Sequence, residues 1–460
     1  MSESTVETAD AMAAVTAAPS VAPDQAAICI IGAGSSGMAV AKALRERNLD
    51  FDCFEKGSDI GGMWRYGNDN GQSCAYRSLH IDTSRTNLGY SDFPIADDKP
   101  DFLSHQEMLA YLESYADHFG GRSRVRFNCE VTKVARNEHG GWRVTTADGS
   151  RDYQTVIVAN GHLWDPRRPS FPGAFDGTAI HSSDYRTAAP FDDKKVLVVG
   201  IGNSAVDIAV DLCRRAASVT ISTRTGAHIM PKYMMGIPID RWSAFLTRKL
   251  KLPTLWARKI MARLVYLAVG NQSRFGIPKP KHPMWREHAT LSQELLPYIG
   301  HGWIKVRPNV TSLDGDNVNF ADGSAETFDA VIYATGYKTS FPFLSPDIFA
   351  VPDAGMVNLY RRITPPNQPG LYFAGLVQPI GPTIPLVEVQ ARWIASVLAH
   401  QVQLPTPADM ALEVRANHVR KQRIWLDSAR YTLEVDFKDY AGELNGDILQ
   451  ASRGRPASAT

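Results

Sequence analysis

Ala27-Ile28-Cys29-Ile30-Ile31-Gly32-Ala33-Gly34-Ser35-Ser36-Gly37 is an apolar run that ends in three glycines spaced for a strand, a tight turn and a helix start. The construction returns as Lys195-Val196-Leu197-Val198-Val199-Gly200-Ile201-Gly202-Asn203-Ser204-Ala205. In such a βαβ unit the glycines let the backbone approach a pyrophosphate, and the helix N-terminus offers it free N–H groups. A residue about 20 positions on meets the adenosine ribose. After the first motif that residue is Glu55; after the second the chain runs out through Ser222, Thr223, Arg224 and Thr225. A carboxylate accepts from a free 2′-hydroxyl and repels a 2′-phosphate, whereas an arginine binds the phosphate. The pair predicts FAD on Gly32, Ala33, Gly34, Ser35, Ser36, Gly37 and Glu55, and NADPH on Gly200, Gly202, Asn203, Ser204, Ala205, Val206, Asp207, Arg224 and Thr225. A helical pattern follows each turn, Met38 to Arg47 in one case and Ala205, Val206, Ile208, Ala209 and Leu212 in the other.

Outward from the two turns, the chain repeats itself. The first is followed by strand-like segments at Val125 to Val134 and Trp142 to Thr146, the turn Ala147-Asp148-Gly149-Ser150, and a buried strand ending in Ala159-Asn160-Gly161. The second is followed by Ile304 to Leu313, Val318 to Phe320, Ala321-Asp322-Gly323-Ser324, and a strand ending in Ala334-Thr335-Gly336. The fold class expected is α/β: two Rossmann-like dinucleotide-binding domains, with an NADP domain (164–330, carrying a helical insertion at 236–285) inserted into a discontinuous FAD domain (25–163 and 331–450). The ends, 1–24 and 451–460, read as disordered tails, and residues 1–24 lack the basic start and apolar run of a secretory signal.

At 460 residues and 44% hydrophobic content the chain can fill two or three cores. Its net charge of +1 gives no whole-molecule field for nucleic acid. The five cysteines form no C-x-x-C pair, which fits free thiols in a reducing cytoplasm and excludes a dithiol reductase. The twelve histidines show no metal-ligating spacing, so no metal site is expected. No run is long and apolar enough for a membrane span. Between Arg241 and Arg263, however, seven basic residues and no acidic one alternate with Trp242, Phe245, Leu246, Leu250, Leu255 and Trp256. That pattern suits peripheral membrane contact, a homodimer contact or the cover of a substrate entrance, and equally an inserted helical excursion packed on its own domain, broken by Pro253.

Phe175-Asp176-Gly177-Thr178-Ala179-Ile180-His181-Ser182-Ser183-Asp184-Tyr185 stands just before the second glycine turn. It resembles the F-x-G-x-x-x-H-x-x-x-Y signature of the flavin-containing monooxygenases, class B flavoprotein monooxygenases. Gly61-Gly62-Met63-Trp64-Arg65, Ser91-Asp92-Phe93-Pro94, Asn203-Ser204-Ala205-Val206-Asp207, Ala334-Thr335-Gly336-Tyr337 and Val435-Asp436-Phe437 with Tyr440 extend the resemblance over residues 27 to 445. It implies an NADPH-dependent cycle in which O2 adds at flavin C4a, giving a hydroperoxide that oxygenates a soft nitrogen or sulfur of a small molecule. Tyr185-Arg186 favours this branch over Baeyer-Villiger oxygenation of a carbonyl substrate. The site must then be dry, and its protein groups position and exclude rather than attack.

By the same resemblance Met63, Trp64, Ile81 and Val131 lie among the cofactor contacts, Gln378 and Thr383 sit in a loop that meets the flavin edge, and His181 orders the interdomain linker and nucleotide. The run Gln378-Pro379-Ile380-Gly381-Pro382 pre-sets that loop or is equally a rigid turn. Asp82 is a departure, since the family commonly carries Asn there against flavin and nicotinamide ribose. A carboxylate beside developing negative charge is unfavourable unless protonated, hydrogen-bonded or paired. Arg85 is the partner expected from sequence, and His80 or Thr83 the substitute donor. Asp82 and His181 are thus the candidate catalytic residues. Asp82 also keeps open an uncoupled NADPH oxidase or redox-sensing flavoprotein.

Overall fold

The computed structural model describes residues 26–286, 289–352, 357–422 and 433–453. Residues 1–24, expected as a tail, lie outside them, as do 454–460; residues 451–453 correct the second tail, because they continue the helix Phe437–Arg453.

Two parallel five-stranded sheets carry the molecule. The first runs Leu371–Phe373, Thr155–Val158, Ile28–Ile31, Phe51–Phe54, Val125–Arg126. The second runs Thr178–His181, Ala330–Tyr333, Lys195–Val199, Ser218–Ser222, Ile304–Arg307. Each glycine-turn strand sits at the centre of its sheet, between the strand that follows its helix and the strand that ends in Asn160-Gly161 or Thr335-Gly336. Ile28–Ile31 and Thr155–Val158 are buried at every position, which is why they read as unbroken apolar runs rather than alternating ones. Ala330–Tyr333 belongs to the second sheet, so the change of half falls after it and not at residue 330 as the sequence suggested.

The expected strand Val125 to Val134 is two strands. Asn128, at φ 52°, donates its N–H to the Gly57 carbonyl and turns the chain, so Val125–Arg126 joins the first sheet and Lys133–Arg136 begins an antiparallel meander with Trp142–Thr146 and Gly149–Tyr153. Ile304 to Leu313 divides likewise into Ile304–Arg307 and Val310–Gly315, the latter opening the matching meander of the second half. Each half buries its own apolar clusters, and a separate one gathers Met230, Met234, Ile239, Leu246, Met261 and Val265 in the insertion. There the helix Thr254–Val269 starts directly after Pro253, as the sequence suggested. All five cysteines are free.

Candidate functional site

Two backbone cradles form at the carboxyl ends of the central strands. Gly32 sits at φ 102°, and a Cβ on it would meet the Ala159 carbonyl at 2.6 Å; one on Gly37 would meet the Gly32 carbonyl at 1.9 Å. Glycine is therefore demanded at both. Gly34 instead faces the Cα of Gly62, 3.7 Å from where its Cβ would lie, so two bare backbones oppose each other. The helix Ser35–Arg45 begins at Gly34 with no side-chain cap and no acid in its first turn, leaving N–H groups for a phosphate. Gly375 closes the cradle from behind, its Cβ position only 2.1 Å from Ser36 Oγ. Glu55 is buried, and its two oxygens accept from Ala33 N–H at 2.7 Å and Gly57 N–H at 2.8 Å. That fixes the carboxylate beside the turn with lone pairs left for ribose hydroxyls, so these residues fit a flavin dinucleotide.

The second cradle repeats the design. A Cβ on Gly200, at φ 133°, would meet the Ala334 carbonyl at 2.4 Å, and the helix Asn203–Leu212 also starts without a side-chain cap or an early acid. Ala205 and Val206 are buried in the second core, while Asn203 accepts through Oδ1 from Leu291 N–H at 2.9 Å and so tethers the returning end of the insertion. Arg224 and Thr225 stand exposed where the strand Ser218–Ser222 ends, and among the described residues no carboxylate pairs with Arg224. This donor set fits a phosphorylated ribose.

Segment 62–84 runs between the two cradles. Its Gly62–Trp64 turn lies against Gly34, with Trp64 packed on the first core and Ser73 Oγ donating to the Met63 carbonyl. Further on, the Tyr76 hydroxyl donates to Asp207 Oδ2 at 2.8 Å. Ile81 donates its N–H to the Leu103 carbonyl, and Asp82 Oδ1 lies 3.1 Å from Lys232 Nζ. Arg85 is not the partner of Asp82: the helix Arg85–Leu88 turns its guanidinium to Asp97, at 2.6 Å. His80 is exposed, with Nδ1 on the Ser78 carbonyl, which turns it away from the donor role considered for it. Burial pushes the Asp82 carboxyl up, and the Lys232 ammonium pulls it back. Burial, reinforced by the charge of Asp82, raises Asp207 to about 7.

His181 is buried between the halves. Its Nδ1 accepts from Ser183 N–H, which assigns the proton to Nε2, 3.1 Å from the Gly336 carbonyl. Burial holds this imidazole below the ordinary histidine value, and it ties the signature strand to the Gly336 crossing. Arg186, singled out in the sequence for the branch it favours, donates to the Ser183 and Ser73 carbonyls and fastens the linker to segment 62–84. Gln378 is not in a loop. It begins the short strand Gln378–Ile380, parallel to Glu434–Asp436, and Thr383 opens the helix Thr383–Leu398. Val131 is buried in the apolar cluster of the first half that also holds Cys29 and Val158.

Residues 25–452 match the Flavin-binding monooxygenase-like family. The chain is 36% identical over 440 residues to "Flavin-containing monooxygenase 5" of Oryctolagus cuniculus, covering 91% of this chain and 81% of that one. It is 33% identical to "Dimethylaniline monooxygenase [N-oxide-forming] 2" of Cavia porcellus, over 92% of this chain and 82% of the other. The solved S-allyl-L-cysteine S-oxygenase of Allium sativum superposes with a TM-score of 0.68 at 28% identity, covering 92% of this chain and 88% of its own.

Proposed function

The chain belongs to the flavin-binding monooxygenase-like family, an oxidoreductase family, and on that premise we propose that it uses FAD and NADPH to place one atom of O2 on a soft nitrogen or sulfur of a small organic molecule. The observation that carries the reading is the pairing of two glycine cradles whose ribose ends differ in charge, Glu55 in one and Arg224 in the other, joined by one segment. The likeness to an N-oxide-forming enzyme and to an S-oxygenase supports the substrate class. The flavin, when bound, supplies the electron relay from nicotinamide to oxygen. The chain's own residues do the rest. The N–H groups of the helix Ser35–Arg45 and the Glu55 carboxylate hold the flavin dinucleotide, Arg224 and Thr225 hold the 2′-phosphate, and Met63, Trp64, Ile81 and Gln378 wall the space between. Asp82, tied to Lys232, and His181, tied to Gly336, keep the two halves closed on it, so that water is excluded. Turnover of a tertiary amine and a thioether with NADPH and isotopically labelled oxygen tests this. One labelled oxygen in an N-oxide or S-oxide is expected; conversion of all the NADPH into peroxide with no labelled product would refute it.

The insertion adds a partner. From Arg241 to Arg286 there are eleven Lys and Arg and no Asp or Glu, in a chain of net charge +1. On the same face Leu255, Trp256, Tyr266 and Leu267 are exposed at 64%, 59%, 63% and 79%, with Lys259 over the Trp256 ring. Among the described residues no helix is long and apolar enough to cross a membrane. Exposed aromatic and leucine side chains interleaved with Lys259 and Arg263 match the interface of an anionic bilayer. Sedimentation with phosphatidylserine vesicles, sensitive to salt and abolished by Trp256→Glu with Leu267→Glu, is the expected outcome. Binding to neither anionic nor neutral vesicles, or loss of a dimer in the variant, would overturn it.

A further inference from the structure

One group of charges lies on the seam between the two glycine cradles. Tyr76 and Asp82 come from the first half, Asp207 and Lys232 from the second. Asp207 stands one turn into the helix Asn203–Leu212, and Lys232 follows the strand Ile229–Met230 after Pro231. The Lys232 side chain is 17% exposed; its Nζ lies 3.1 Å from Asp82 Oδ1 and 5.6 Å from the centre of the Phe102 ring, which boxes it from a second side. Asp207, held by the Tyr76 hydroxyl, faces the same ammonium, and Glu294 adds a further negative charge toward both. Two carboxylates thus depend on one cation. Burial opposes the charge of Lys232, yet Asp82 and Asp207 outweigh it and hold the ammonium above the ordinary lysine value.

We propose that Lys232 is a positioning residue that couples the two dinucleotide sites, its ammonium holding Asp82 across the seam so that the helix Asn203–Leu212 stays registered on segment 62–84. The proposal takes from the functional reading only the identity of the two dinucleotides. It follows from charge. Without the cation, the Asp82 carboxylate is left in the seam with its counter-charge gone, and removing one partner of an enclosed pair costs more than removing both. The seam then loosens where the nucleotide helix begins, so the oxidised nucleotide leaves sooner and water enters. Arg85 cannot replace the cation, being committed to Asp97.

Calorimetric titration of NADP⁺ into the oxidised holoenzyme tests this apart from turnover. Lys232→Met is expected to weaken binding about tenfold, less than for a fully enclosed pair because Asp82 retains 26% exposure. Its FAD content is expected to stay at the wild-type level, and the peroxide fraction of consumed NADPH to rise. Lys232→Arg restores affinity, and Asp82→Asn with Lys232→Met binds NADP⁺ more tightly than Lys232→Met alone. A purely structural lysine would not give that recovery. Wild-type affinity and peroxide fraction in Lys232→Met, or equal affinities in the single and double variants, overturn the proposal. If no amine or sulfide is oxygenated but the affinities follow this order, the functional reading falls and the coupling stands.

Discussion

Single side chains on the second cradle decide which nucleotide is held and at what pH the seam is most stable. Arg224 is exposed, with no carboxylate pairing it among the described residues, so its guanidinium is available to a 2′-phosphate. Charge-assisted hydrogen bonds are worth about 1.5–3 kcal/mol, so Arg224→Ala is expected to lower the preference for NADPH over NADH by about 10- to 100-fold, read as the ratio of kcat/KM values. Asp207 carries the pH dependence. Its carboxyl keeps its proton up to about 7 in the folded chain, against 3.8 as its ordinary value, because burial and then Asp82 oppose ionisation. Between those two values the folded state binds more protons than the unfolded one, so this residue's contribution to stability is fully present below 3.8 and is lost as pH rises through about 7. Asp207→Asn removes that loss while keeping an acceptor for the Tyr76 hydroxyl. The thermal midpoint of the variant relative to wild type is expected to climb with pH across that window; a difference flat in pH would show that Asp207 titrates normally.

At the scale of strands, turns and helices, the Gly32–Gly37 turn is the element with least tolerance. A Cβ on Gly37 would lie 1.9 Å from the Gly32 carbonyl, which is backbone and cannot swing aside. Gly37→Ala therefore displaces the start of the helix Ser35–Arg45, and purified variant is expected to lack flavin absorbance. Gly71→Ala is the control: nothing lies within 4 Å of its Cβ position, so its positive φ is the only penalty and flavin is retained. Both cradles were legible in the sequence because each is written in consecutive residues, with strand, glycine spacing and ribose residue in order. What lay outside that grammar was not. Tyr76 meets Asp207 across 131 positions and Ser84 meets Asp240 across 156, and no local pattern announces either contact. Arg85 was expected at Asp82 because it is near in sequence, yet a short helix carried it to Asp97. The proline-rich run at Gln378 reads as a turn, but Pro379 lies inside a short strand that pairs with Glu434–Asp436. The insertion's helix start at Pro253 was legible, since proline both ends a preceding helix and suits the entry to the next.

Across the whole molecule, apolar burial holds each half together and mainly polar contacts hold the halves to each other. The clusters around Ile30 and Val156 lie in the first half and those around Val198 and Val331 in the second, and among the described residues Tyr76 and Leu79 pass from the first half into a core of the second. The polar contacts of the seam include Tyr76 on Asp207, Lys232 on Asp82, Arg241 on Asp101, Arg258 on Asp436, Arg186 on the Ser73 carbonyl, and Asp240 accepting from Ser84 N–H, Ser84 Oγ and Asn87 Nδ2. Salt leaves apolar cores standing but screens partly exposed ion pairs, whose separate contributions run about 0–1 kcal/mol. The Asp240 contacts, made to a fully buried Ser84, resist it. The two halves should therefore melt together at low salt and separate at high salt, the second half moving to lower temperature. A ligand specific to the native second half stabilises it by about 2.7 kcal/mol at 100 times its Kd. While the seam holds, NADP⁺ at that level raises the midpoint of the whole molecule; once salt has loosened it, NADP⁺ raises only the transition of the second half, and flavin release, which reports the first, stays where it was. Scanning calorimetry read beside flavin fluorescence distinguishes the two regimes. A single transition at both salt levels, with flavin release following NADP⁺ equally in each, would mean that the apolar contact of Tyr76 and Leu79 joins the halves and the ion pairs do not.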